Sequence, residues 1–272
     1  MLDNKINKLK EYIAKQQEII IAFSGGIDST LLAYYGKEIV GEKCIALTVL
    51  SDFISQEEKD QAIDTAKELQ FNHHIISANI FDHNSVIENN ADRCYQCKKV
   101  IFQTIIDYGN KHNIHCIFEG SNADDRDDYR PGKKALLEKS IQSPLDFFNF
   151  TKDDIRTAAK NLNIKIWDKP SSPCLATRIP YDERITIEAL HQIEEAEKIL
   201  TSLGLSQVRV RVHGSIARIE ILPNEMNKIF ENNLNEKIYN EFKSIGFDYT
   251  TLDLRGYRTG SMNETLKDKT NG

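Results

Sequence analysis

Three groups of residues in this chain have side chains and spacings suited to chemistry: a glycine-rich turn, a set of cysteines, and charged residues that follow strand-like runs. The turn is Ser24-Gly25-Gly26-Ile27-Asp28-Ser29, inside IIIAFSGGIDSTLLAYYG, which reads as a buried strand, a glycine pair and a helix. A glycine pair at such a junction lets the backbone approach an anion closely, with N–H groups and the helix N-terminus pointing at it. A Walker loop would carry a lysine next to its Ser/Thr. Here there is none, and Asp28 with Ser29 stands in its place.

The cysteines number five. Cys44 and Cys116 open apolar strand-like runs and read as small buried hydrophobes. Cys94 and Cys97 form a C-x-x-C pair at the start of a predicted helix, where a thiol pKa is lowered and two thiolates can share a metal. Cys174 stands apart in SSPCLATRIPY. Spacing alone leaves four readings open: a redox pair, zinc completed by His73 or His74, an iron-sulfur cluster on three thiolates with one iron left open, or incidental thiols.

A third group is CIFEGSNADDRDDYRPG, where Glu119, Asn122, Asp124, Asp125, Arg126, Asp127, Asp128 and Arg130 follow a strand at the same sheet edge as the glycine turn. Clustered carboxylates repel unless a cation neutralises them. Magnesium-bound triphosphate would supply that cation, which makes Asp124 and Asp125 candidates for metal or nucleotide contacts. Arg209 and Arg211 alternate on one face of QVRVRVH and suit a phosphate, which guanidinium binds in bidentate fashion. Arg178 follows Cys174 by one helical turn, and Glu197 and Glu220 are further candidates for a cation.

The elements that must position these residues fall into two patterns. Up to about residue 170, β-branched runs at 18–23, 44–50, 73–77 and 116–120 alternate with helical segments at about 28–40, 55–70 and 93–112, the signature of a parallel α/β sheet. Thr151, with Asp153 and Asp154 in the first turn, caps another helix, and a fifth strand is expected near Lys165–Trp167. The proline-rich stretch 168–182 reads as a joining loop. Beyond it a helix at 186–203, the strands QVRVRVH and ARIEIL, two helices and a strand near TTLDL form a smaller α+β unit, giving domains 1–170 and 171–272.

Composition bounds the partners. With 40% hydrophobic and 28% charged residues over 272, the chain is of ordinary globular composition, and no apolar run approaches a membrane span. The N-terminus reads as an amphipathic helix rather than a secretory signal, which places the protein in the cytoplasm. A net charge of −6 without a basic tail speaks against a long nucleic-acid footprint.

The glycine turn resembles the PP-loop, Ser-Gly-Gly-x-Asp-Ser, of the ATP pyrophosphatase superfamily, whose domain is adenine nucleotide alpha hydrolase-like. That resemblance implies that Ser24, Gly25, Gly26 and Ser29 hold the pyrophosphate of ATP, with Asp28 near Mg2+, and that adenine lies near Thr48, Val49 and Leu50. GSNADDRDDYRPG, WDKPSSPCLATRIPY, VRVRVHGSIARIEI and DLRGYRTGSMNE further resemble the LarE family of ATP-dependent sulfur transferases, in order, to about residue 264. Such an enzyme adenylates a pyridinium carboxylate mononucleotide and turns it into a thiocarboxylate for the nickel-pincer nucleotide cofactor. The family cysteine matches Cys174; a branch with two more cysteines holds a [4Fe-4S] cluster, and Cys94 and Cys97 place the chain there. The resemblance also implies Arg209 and Arg211 at the substrate phosphate, Arg178 near the reacting carboxylate, a homo-oligomer and a sulfide-donor protein. The rival reading is a PP-loop tRNA thiolase with a three-cysteine cluster, for which the acidic surface is ill suited.

Overall fold

A computed structural model describes residues 2–126, 132–169, 172–258 and 260–263. The chain divides into two compact units, one made of 1–86 with 92–172, the other of 87–91 with 173–272.

The first unit contains α1 (Leu2–Ala14), β1 (Ile19–Ala22), α2 (Ile27–Val40), β2 (Cys44–Leu50), α3 (Gln56–Glu68), β3 (Asn72–Ser77), the single turn α4 (Asn84–Ile87), α5 (Arg93–His112), β4 (Ile117–Phe118), α6 (Gly132–Glu138), α7 (Pro144–Phe147) and α8 (Lys152–Asn161). Its four strands are parallel in the order β3-β2-β1-β4. Continuous apolar runs form β1 and β2 because both faces of the sheet are covered. Ile19 and Ile21 join the core that α1, α2 and α8 line, while Ile20, one pleat out of phase, meets α5 at Gly109. The chain runs from β1 outward to β3 and then returns to the other side of β1 at β4. That reversal opens a crevice beyond the carboxyl ends of β1 and β4, the place where open α/β sheets bind ligands.

The sequence reading of this unit needs three corrections. The fourth strand is two residues long rather than five. No strand forms at Lys165–Trp167: Asn163 adopts a left-handed backbone, and Trp167 and Lys169 donate N–H groups to Ile164 and Ile166 in successive turns. At the β4 edge of the sheet Gln142 is already paired, donating its N–H to Ile117 O and accepting from Glu119 N. Lastly, residues 87–91 belong with the second unit, not the first.

In the second unit, a 3-10 turn (Leu175–Arg178) leads to α9 (Ile187–Ser202), the antiparallel hairpin β5 (Val208–His213) and β6 (Ile216–Ile221), a 3-10 stretch (Pro223–Phe230), α10 (Leu234–Ser244) and β7 (Tyr249–Leu252), which pairs parallel to β6. Val208, Val210, Val212, Ile219 and Ile221 alternate inward, with Leu190, Ile193, Ala196 and Leu200 of α9 in the same core. The segment 87–91 is tied in by Ile185 N donating to Ile87 O, Asp182 N donating to Asn89 O, and the buried Asn89 amide donating to Ile179 O and Pro180 O.

Candidate functional site

The turn at the tip of β1 is built so that its backbone faces outward. Gly25 has φ +73°, a region costly for residues with a Cβ, and a Cβ there would lie 2.7 Å from the Ala62 Cα of α3. Ser24 and Ser29 close the turn between themselves: their hydroxyls are 3.2 Å apart, Ser29 Oγ donates to Gly26 O, and Ser24 N and Gly26 N donate to Ser29 Oγ and Ser24 Oγ. Gly26 is the N-cap of α2 and brings no side chain, so the first N–H groups of the helix are not answered by a capping side chain. The helix field and those donors favour an anion there.

Opposite lies the loop after β4, which comes close because residue 120 is glycine: a Cβ would meet Ser29 N at 3.0 Å and the Asp28 Cβ at 3.2 Å. Asn122 donates its amide to Asp28 Oδ1 at 3.2 Å. Lys152, first residue of α8, pairs its ammonium with Asp28 Oδ2. Asp125 accepts from Asn122 N, Asn122 Oδ1 accepts from Asp124 N, and Asp124 accepts from Lys152 N. Asp124 and Asp125 thus set the turn that aims Asn122 and fixes the Lys152 backbone. Glu119, also buried, accepts from Ser121 N and Oγ and from Ser143 Oγ. Asp127, Asp128 and Arg130 lie outside the described residues.

Thr48 is buried in β2, donates to Phe23 O at 2.9 Å and pairs with His73 Nε2 at 2.8 Å, so it locks the β1 tip to the neighbouring strands. Its hydroxyl therefore has partners within the sheet. Burial, with His74 beside it, holds the His73 ring below its usual pKa. His74 is engaged by Tyr108 and Asn72. Neither histidine stands beside the C-x-x-C pair as a metal ligand would, for among the described residues no three His, Cys, Asp or Glu side chains are grouped to hold a metal.

In the second unit the arginines separate into two kinds. Arg211 is buried and forms a two-pronged pair with the fully buried Glu220, also donating to Thr177 O and Ser261 Oγ. Arg178 is 2% exposed, pairs in the same way with Glu197, and donates through Nη1 to Pro173 O and Cys174 O. Glu197 and Glu220, read from the sequence as candidates for a cation, are therefore held by Arg178 and Arg211. Arg209, half-buried, donates to Val208 O and lies over the Tyr257 ring. Burial, then the nearby Arg178 charge, lowers its pKa.

Cys174 caps the turn held by Arg178; its carbonyl accepts from Thr177 N, Thr177 Oγ1 and Arg178 Nη1. That carbonyl cage fixes the backbone while the side chain stays half-buried. Cys94 and Cys97 lie on one face of the first turn of α5, also half-buried, with the Arg93 guanidinium 3.9 Å from Cys94 Sγ. Burial pushes the other two thiols, Cys44 and Cys116, up to about 12 and about 11.

Sequence reading missed Gly120, Ala62 and Lys152. Gly120 had a signal, a glycine ending a strand at the same edge as another glycine turn. Lys152 had a fainter one: a lysine in the first turn of a helix sits where the helix field disfavours it. Ala62 had none, since only the tertiary approach of α3 makes its size matter.

Comparison with known proteins places these features in context. Residues 1–104 match the NAD synthase family model. The pyridinium-3,5-bisthiocarboxylic acid mononucleotide synthase of Lactiplantibacillus plantarum is 35% identical over 251 residues, 92% of this chain and 90% of that one. An uncharacterized protein of Methanocaldococcus jannaschii is 38% identical over 93% of this chain and 95% of its own length, and one from Synechocystis is 34% identical over 98% and 99%.

Proposed function

The chain belongs to the LarE family of PP-loop, ATP-using enzymes, and from that premise we propose that it adenylates a pyridinium carboxylate mononucleotide and converts it to a thiocarboxylate. The observation that carries the reading is the anion-ready turn of residues 24–29 at the β1/β4 crevice, whose Asp28 is met by Asn122 and Lys152.

A free carboxylate is a poor electrophile. Its oxygen attacks the α-phosphorus of ATP, the bond to the α–β bridging oxygen breaks, and pyrophosphate leaves into the cradle of Ser24, Gly25, Gly26 and Ser29. Sulfur then displaces AMP from the acyl adenylate. Asp28 supplies the hard, partly exposed oxygen that Mg2+ favours. Arg209 is the arginine for the substrate phosphate; Arg211, through Glu220, supports the strand on which Arg209 stands. Arg178 acts on Cys174 by holding its carbonyl.

The cysteines are half-buried thiols and in chemistry are soft-metal donors, although among the described residues Cys94, Cys97 and Cys174 are not grouped to hold a metal. A [4Fe-4S] cluster on Cys94, Cys97 and Cys174 would supply sulfide to the activated carboxylate. The same reading takes a homo-oligomer and a sulfide-donor protein as partners. Among the described residues no helix is long and apolar enough to cross a membrane.

The test supplies ATP, Mg2+ and the pyridinium mononucleotide. AMP and pyrophosphate should form, and Asp28→Ala should abolish both while keeping the fold. ADP as product, or full activity in Asp28→Ala, overturns the reading. Anaerobic reconstitution followed by Mössbauer spectroscopy tests the three cysteines separately.

A further inference from the structure

The loop at the tip of β1 contains no lysine, yet the fold delivers one to it from α8. Lys152 meets Asp28 with side-chain exposures of 28% and 23%, so the pair is partly withdrawn from water. Its position is held twice over: Lys152 N donates to Asp124, and the residue before it, Thr151, closes a capping box with Asp154. An ammonium at the first position of a helix opposes the helix field, and a lysine serving only the helix would be better placed in its last turn. The arrangement brings a cation to the anion-ready turn.

We propose that Lys152 is a catalytic residue of the adenylation step, leaving Asp28 when metal-bound triphosphate arrives and meeting the charge that builds on the departing pyrophosphate. This inference rests on the adenylation reading above. Asp28 is the natural exchange point, because a divalent cation outcompetes an ammonium for a carboxylate and so releases Lys152 into the field of the phosphates. Lysine suits the transfer: its charge is compact and its stem flexible, so it can reach either partner without moving the backbone that Asp124 fixes. In the step, the acceptor oxygen bonds to the α-phosphorus and the bond to the α–β bridging oxygen breaks. Pyrophosphate takes the electron pair, and Lys152 neutralises that charge without transferring a proton.

The experiment compares wild type, Lys152→Met, Lys152→Gln and Lys152→Arg in steady-state pyrophosphate release, with equilibrium binding of a fluorescent ATP analogue alongside. Lys152→Met should lose about 100-fold in kcat while its nucleotide Kd stays within about threefold, and Lys152→Arg should recover at least a tenth of the rate. Lys152→Gln keeps a donor to Asp28 and provides a neutral variant with the local contact retained should the Met variant melt early. Two results overturn the proposal: neutral variants with kcat within about threefold of wild type, or loss of binding that accounts for the whole loss of rate. If wild type itself forms no AMP, the adenylation reading falls. If wild type forms AMP and the neutral variants match it, only the role of Lys152 falls.

Discussion

Gly25→Ala is the sharpest single perturbation of the phosphate turn, and the geometry sets its size. The φ of +73° disfavours alanine by about 1–2 kcal/mol. The new Cβ would stand 2.7 Å from the Cα and 2.8 Å from the Cβ of Ala62, both on a helix that cannot yield as a flexible side chain would. Overpacking of that kind adds about 1–3 kcal/mol, for a total near 3 kcal/mol. For a protein of this size that corresponds to a melting point lower by roughly 6–12 °C. Gly26→Ala is the control: φ there is −77° and the nearest atom to a Cβ is Ser24 Oγ at 3.4 Å, so stability should stay within about 0.5 kcal/mol of wild type. Thermal melts with and without ATP and Mg2+ read both quantities. Gly25→Ala should melt early and lose the upward shift that nucleotide gives, and Ala62→Gly should not rescue it, because the Ala62 Cα remains in place. If Gly25→Ala melts with wild type and retains its nucleotide shift, the close approach of α3 to the loop is not what selects glycine.

Arg211→Met should destabilise the second unit by about 3 kcal/mol, since the fully buried Glu220 loses its two-pronged partner and keeps Arg218 and the Ser261 hydroxyl, whereas Arg209→Met should leave the melting point nearly unchanged and weaken binding of the substrate phosphate in calorimetry. Thr151→Ala removes a capping box and should cost about 1 kcal/mol in denaturant unfolding, with a further loss in pyrophosphate release because Lys152 follows it directly. Burial, then His74, lowers the pKa of His73 from 6.5, so folding favours the neutral ring. Its contribution is fully present above pH 6.5 and falls away as acid protonates the unfolded chain first; His73→Gln should flatten that part of the stability profile. Denaturant midpoints measured from pH 8 to pH 5 check the slope.

What was legible in the sequence follows periodicity and local chemistry. The strand Cys44–Leu50 and the helix from Arg93 to His112 appear where the pattern puts them, because burial on both faces of a strand and capping of a helix leave marks on neighbouring residues. The glycine turn was visible for the same reason. Lys165–Trp167 misled because β-branched alternation records burial, and Ile164 is buried in a turn rather than on a sheet edge. Arg209 and Arg211 look alike on their strand, yet Glu220 from β6 claims only Arg211. Which side chain answers which is settled by tertiary packing and leaves no local trace, least of all for Lys152 and Asp28, which lie far apart in the chain.

The excursion of residues 87–91 into the second unit bears on how the chain can be cut and made. A fragment ending near residue 172 would present the buried Asn89 amide to water without the carbonyls of Ile179 and Pro180, so truncation at the apparent linker exposes a polar seam rather than separating two independent modules. On the ribosome, residues 87–91, just ahead of Cys94 and Cys97, wait for these partners until some ninety further residues have emerged, including Ile185, whose N–H donates to Ile87 O.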